Sequence, residues 1–161
     1  MTTALWFVGI FWGVPFVISW GYLLWLAHLS HDITFEGILW WRGFIPVARY
    51  RLISRRSWYG QMWERWRGCG LFLAMIVKDN EGTHDDQAVE DTIVHELRHV
   101  VQVLLFGILQ PLSYLGHYGY LKAFTSLDPY FANVWERDAR ASAQRWIDRG
   151  RPSIYNLGTR Q

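Results

Sequence analysis

The chain has 161 residues, with 16 Lys+Arg against 14 Asp+Glu and a single cysteine. That length supports one domain with its own core. The near-balanced charge excludes a global pull toward nucleic acid, and a lone cysteine, Cys69, excludes an internal disulfide and a Cys-rich zinc knuckle. Hydrophobic residues reach 51% and there are 11 Trp, an excess that points to a membrane segment or a large aromatic interface.

Charge is spread unevenly. Residues 1–27 carry none, residues 42–67 carry seven Arg and one Glu, and residues 79–91 carry six acids and no base. The chain therefore divides into a hydrophobic N-terminal segment (1–30) and a domain (31–161).

The first segment, ALWFVGIFWGVPFVISWGYLLWLA (4–27), is 24 uncharged residues, and a helix that crosses a bilayer needs about 20. Trp20, Tyr22 and Trp25 lie toward one end, where an aromatic belt sits. No Lys or Arg precedes the run, which disfavours a cleavable signal peptide. The expectation is a transmembrane anchor. Arg42, Arg49, Arg51, Arg55 and Arg56 follow it, so the domain is expected on the cytoplasmic side. The competing reading is a hydrophobic hairpin, or a segment packed on an assembly partner.

RYRLISRRSWYGQMWERWR (49–67) interleaves Arg with aromatic residues. Anionic lipid headgroups suit it. Stacked nucleic-acid bases are a weaker fit, and the plain account is Arg stems lying over Trp.

The element pattern predicts an α+β fold with a short sheet and two or three helices behind the apolar segment. FIPVARYRLI (44–53) and CGLFLAMIV (69–77) read as strands, the second ended by the turn signal KDNEG. Val89, Ile93, Leu97, Val100, Leu104 and Ile108 recur at helical spacing and predict a helix over 86–109, capped by Asp85 or Asp86 and stopped before Pro111. A shorter aromatic helix is expected over 111–124, a break at TSLDP, and a last helix over 130–149 ended by Gly150 and Pro152.

The 86–109 helix carries HELRH. His95 and His99, four residues apart, project from one helical face and can share a metal ion, while Glu96 stands beside them and can reach a metal-bound water. The surrounding residues Ile93, Val94, Leu97, Val100 and Val101 predict burial, so the polar trio needs partners. The last helix offers one: Glu136, Ala139 and Ala143 share a face, and the small residues let the two helices approach while Glu136 meets the metal.

HELRHVVQ followed by ERDARASA resembles the gluzincin metallopeptidases, above all the small single-core minigluzincins. The likeness covers residues 71–143. It implies a zincin-like core, Zn2+ held by His95, His99 and Glu136, and Glu96 as general base. The implied reaction is hydrolysis of a peptide or protein substrate by a Glu-activated, zinc-bound water. His117, Tyr114, Tyr118 and Tyr120 are the candidates for transition-state stabilisation. Thermolysin-like members have an Asp four residues after the ligand Glu; this chain has Arg140, and Asp138 is expected to point elsewhere. An aspzincin-type ligand at Asp128 is a weaker alternative, because TSLDPY matches only part of that pattern. The rival function is a membrane- or virion-associated structural protein with a zincin fold and no protease activity, which would make the chain a component of a phage particle.

Overall fold

The computed structural model describes residues 6–29, 31–41, 45–52, 67–78, 86–152 and 154. Among them are five helices and four strands, an α+β arrangement as expected from the element pattern. Helix α1 runs Trp6–Leu29, with α-helical Val14–Leu24 between π-type turns. Strands β1 (Ile33–Trp41), β2 (Ile45–Leu52), β3 (Gly68–Leu71) and β4 (Ala74–Lys78) follow, then helices α2 (Asp86–Phe106), α3 (Leu109–Phe124), α4 (Pro129–Ala132) and α5 (Val134–Asp148).

The sheet order is β1-β2-β4-β3. β1 and β2 form an antiparallel pair, β2 and β4 run parallel, and β4 and β3 run antiparallel. β1 was not anticipated. Its alternation is interrupted by a bulge between Phe35 and Gly37, so Ile33 faces one side of the sheet and Leu39 the other although they are an even number of residues apart. The bulge also turns Glu36 onto β2, where it pairs with Arg49 at 2.7 Å and with Arg51. These two arginines of the basic stretch are thus tied into the sheet; residues 53–66 lie outside the described part. The 69–77 run is two strands joined at Phe72 and Leu73, not one.

Side-chain alternation gives the sheet two apolar faces. Val47, Met75 and Val77 pack with Ile93, Leu97 and Val100 of α2 and Trp146 of α5. Ala48, Leu52, Ala74 and Ile76 pack with Leu23 and Leu26 of α1. The N-terminal helix therefore covers the sheet face opposite α2. Its inner stripe is Pro15, Ser19, Leu23 and Leu26, at the spacing of one helical face. Burying Leu23 and Leu26 contributes about 1.5–3 kcal/mol each, a large share of a typical total of roughly 5–15 kcal/mol. Ser19 Oγ adds a bond from Phe72 N at 3.2 Å.

The break after α2 falls at Gly107, not at Pro111. Gly107 has φ +52, and its N–H reaches Val103 O at 2.7 Å, a left-handed helix stop that suits glycine. Phe11 of α1 lies against it: a β-carbon at Gly107 would sit 2.4 Å from the Phe11 ring. Pro111 falls in the first turn of α3, where no N–H is needed. α2 and α3 meet at 114°. This elbow swings α3 back over the start of α5.

Candidate metal centre

The two histidines of α2 and the glutamate of α5 converge. One ligand atom from each of His95, His99 and Glu136 lies within 4.8 Å of the others. His95 Nε2 is 3.2 Å from His99 Nε2 and 3.3 Å from Glu136 Oε2, and His99 Nε2 is 3.5 Å from Glu136 Oε1. α5 reaches α2 closely because Ala139 is buried with no exposure and Ala143 packs on the same core. Asn133 starts α5 by accepting from Trp135 N at 3.1 Å, and its own amide donates to Tyr114 O at 3.1 Å. Glu136 therefore emerges in the first turn of a capped helix.

A polar chain behind the triad sets the state of His99. Gln102 donates through Nε2 to Asp138 Oδ2 at 2.8 Å and to Trp135 O at 3.1 Å. Both partners accept only, so the amide is oriented. Its Oε1 faces His99 Nδ1 at 2.8 Å, and Nδ1 must carry the proton. In the neutral ring Nε2 is then a bare lone pair aimed into the triad. Arg98 closes the chain on Asp138 at 2.7 and 3.2 Å. Asp138 touches neither histidine, as expected, and reaches His99 only through Gln102.

The triad is electron-rich. Glu136 Oε2 is buried and has no hydrogen-bond donor. Burial opposes ionisation of Glu136, yet the adjacent imidazoles of His95 and His99 hold its carboxyl well below the usual carboxylate range. Two imidazole nitrogens and a carboxylate converging in one buried space fit a divalent cation that takes N and O ligands, zinc among them.

Glu96 is buried on the neighbouring side of α2 and is not part of the triad. It lies under β3: a β-carbon at Gly68 would sit 2.7 Å from its side chain, and the Gly70 backbone beside it favours its charged form. At Gly70 a β-carbon would sit 2.5 Å from Glu96 O and 2.6 Å from His99 Cβ. The glycines of β3 are what let this edge strand touch the motif turn. Burial pushes the Glu96 carboxyl above its ordinary value, against the pull of His99 and His95. Cys69, between the two glycines, is pushed up by burial and by the charges of Glu96 and Glu136.

The four candidates on α3 separate. Tyr114 faces inward and its hydroxyl donates to Glu136 Oε1 at 3.1 Å. Burial, then the Glu136 charge, raises its phenol. His117 accepts from Val134 N at 3.3 Å and so serves the start of α5. Tyr118 is half-buried without a contact to the triad, and Tyr120 is exposed, its ring 5.5 Å from Phe124. Asp128 caps α4 by accepting from Tyr130 N and Phe131 N and stays outside the triad.

Three residues near the site carried no sequence signal of that role. Gln102 is one. Tyr130 is another, its phenol raised chiefly by burial and then by the charge of Glu136. The third is Arg140, whose Nη1 is buried 3.9 Å from Glu136 Oε2 and whose guanidinium lies over the Tyr130 and Phe131 rings at 5.8 and 5.1 Å.

Comparison with known protein families, with curated proteins and with solved structures finds no match.

Proposed function

We propose that the chain is a zinc-dependent peptidase with a small zincin-like core of gluzincin type. The observation that carries this reading is the convergence of His95, His99 and Glu136, with a buried Glu136 oxygen that lacks a donor. Bound at these three side chains, zinc supplies an acidified water and a Lewis acid for the substrate carbonyl. Glu96, buried beside the triad with a raised pKa, takes a proton from the attacking water and passes it to the leaving amine. Tyr114, Tyr130 and Arg140 supply donors around Glu136 that can face a developing oxyanion. Attachment to a membrane through α1 belongs to the same proposal, with the domain on the cytoplasmic side. α1 is long and apolar enough to cross a bilayer, a property that an N-terminal signal sequence shares.

The rival, a metal-binding structural protein that cleaves nothing, draws support from the extent of exposed apolar surface on α1 and α3. Metal analysis of wild type beside Glu136→Ala tests the site directly. About one zinc per chain is expected in wild type, with occupancy lost in the variant. Equal zinc in both would refute the assignment, and cleavage of a broad peptide library by the zinc-loaded chain separates enzyme from scaffold.

A further inference from the structure

Two uncharged segments meet at one end of the molecule. No Asp, Glu, Lys or Arg occurs in residues 6–29 or in residues 99–121. Trp12 Nε1 of α1 donates to Leu104 O at 2.9 Å, Ile108 N donates to Phe11 O at 2.9 Å, and Phe11 covers Gly107. The first turns of α1 are thereby joined to the α2–α3 elbow.

Both partners in this junction present bare apolar side chains. Trp6 and Phe7 are 72% and 74% exposed. On the elbow, Leu105, Leu109, Leu112 and Leu115 are all more than half exposed. The outward stripe of α3 is Leu109, Leu112, Gly116 and Tyr120, whereas Gln110, Tyr114 and Leu121 face inward. Exposed apolar surface of this continuity marks an interaction site. α1 is long and apolar enough to cross a bilayer, and the absence of charge across both segments matches hydrocarbon better than a polar protein rim.

The other half of α1 is committed to the fold. Leu23 and Leu26, each 1% exposed, fill the space above Ala48, Ala74 and Ile76. A helix drawn out to cross the bilayer would empty that face of the sheet.

Resting on the membrane attachment proposed above, we infer that the protein sits on one leaflet through a platform formed jointly by the first turns of α1 and the α2–α3 elbow, with α1 lying in the interface rather than crossing. With one side of α1 packed on the sheet, only its other, apolar side is free to enter the headgroup and upper acyl region. It holds α3, which carries Tyr114 over Glu136, against the membrane.

The test is flotation of the full chain with phosphatidylcholine vesicles, with and without phosphatidylglycerol. Wild type should float, and Leu112→Asp/Leu115→Asp should float at least tenfold less with an unchanged far-ultraviolet circular dichroism spectrum. Wild type that stays at the bottom of the gradient refutes membrane attachment itself. A double variant that floats like wild type overturns the elbow's role and leaves attachment through α1 standing. As a second measurement, Leu112→Cys and Val17→Cys, each in a Cys69→Ser background, are labelled with an environment-sensitive fluorophore and quenched by spin-labelled lipids. Both should be quenched best by the shallow label. Deepest quenching at Val17, or none at Leu112, would overturn the one-leaflet seating.

Discussion

Gln102 Oε1 accepts the Nδ1 proton of His99 at 2.8 Å. That contact decides which imidazole nitrogen is left for the triad, because the Gln102 amide is already spent on Asp138 and the Trp135 carbonyl. Replacing Gln102 with Leu keeps the volume and removes the acceptor. Losing a hydrogen-bond partner of a ligand histidine typically costs about 10–100-fold in metal affinity. Zinc affinity of Gln102→Leu, measured by competition with a chromophoric chelator, should fall by a factor in that range, and Gln102→Glu should not restore it, because its second oxygen would face Asp138 Oδ2 and Trp135 O, which only accept. Wild-type affinity in Gln102→Leu would show that His99 needs no such orientation.

Glu96 lies outside the triad and beneath β3. Glu96→Gln should therefore keep zinc content and folding near wild type. Peptidase activity should drop by about 10²–10⁴-fold, the usual contribution of a general acid–base group. The comparison is a cleavage assay on wild type, Glu96→Gln and a chelated sample. Undiminished cleavage by Glu96→Gln would remove the residue from the mechanism.

The pH response of the metal-free protein and that of the zinc form should run in opposite directions. Burial disfavours the charged form of His99, but the Glu136 and Glu96 carboxylates outweigh it and raise its pKa above the ordinary 6.5. A raised histidine stabilises the fold fully below its unfolded pKa and less as pH climbs through the folded value. Glu136 is depressed from 4.5, so its share is present above that pH and lost as pH falls through the folded value. The triad thus supports the metal-free fold best between about pH 4.5 and 6.5. Zinc needs both rings deprotonated, so its affinity rises with pH. The increase in Tm on adding zinc should be larger at pH 8 than at pH 6, read by scanning calorimetry. An equal or smaller increase at pH 8 would argue against histidine ligation.

Gly70 is where β3 touches the motif turn. Ala there would place its β-carbon on the backbone oxygen of Glu96, and backbone cannot yield as a long side chain can. Gly70→Ala should destabilise the protein by about 1–3 kcal/mol, the range for overpacked interiors, and loosen zinc at the same time by displacing His99. Urea denaturation gives the first quantity and chelator competition the second. Gly68→Ala meets only the flexible Glu96 side chain and should cost less. A reversed order of the two variants would show that the strand is not held as described.

The triad's membership was legible in the sequence because each of its two halves is a local pattern. His95 and His99 share a face through helical periodicity alone, and Glu136 stands with Ala139 and Ala143 by the same rule. The apolar character of the N-terminal segment follows from composition. Other features came from contacts across long separations, which leave no periodic trace. Gln102 reaches Asp138 over 36 positions, and Trp12 reaches Leu104 over 92. Tyr114 could be separated from Tyr118 and Tyr120 only once the elbow at Gly107 had set the rotation of α3 against α5. β1 escaped notice because its bulge breaks the period of two that marks a strand. Length and hydrophobicity made residues 4–27 read as a bilayer span, and Trp6–Leu29 forms a helix long and apolar enough for one. Only the tertiary structure placed Leu23 and Leu26 against Ala48, Ala74 and Ile76, because an apolar stripe is satisfied as well by a protein face as by lipid.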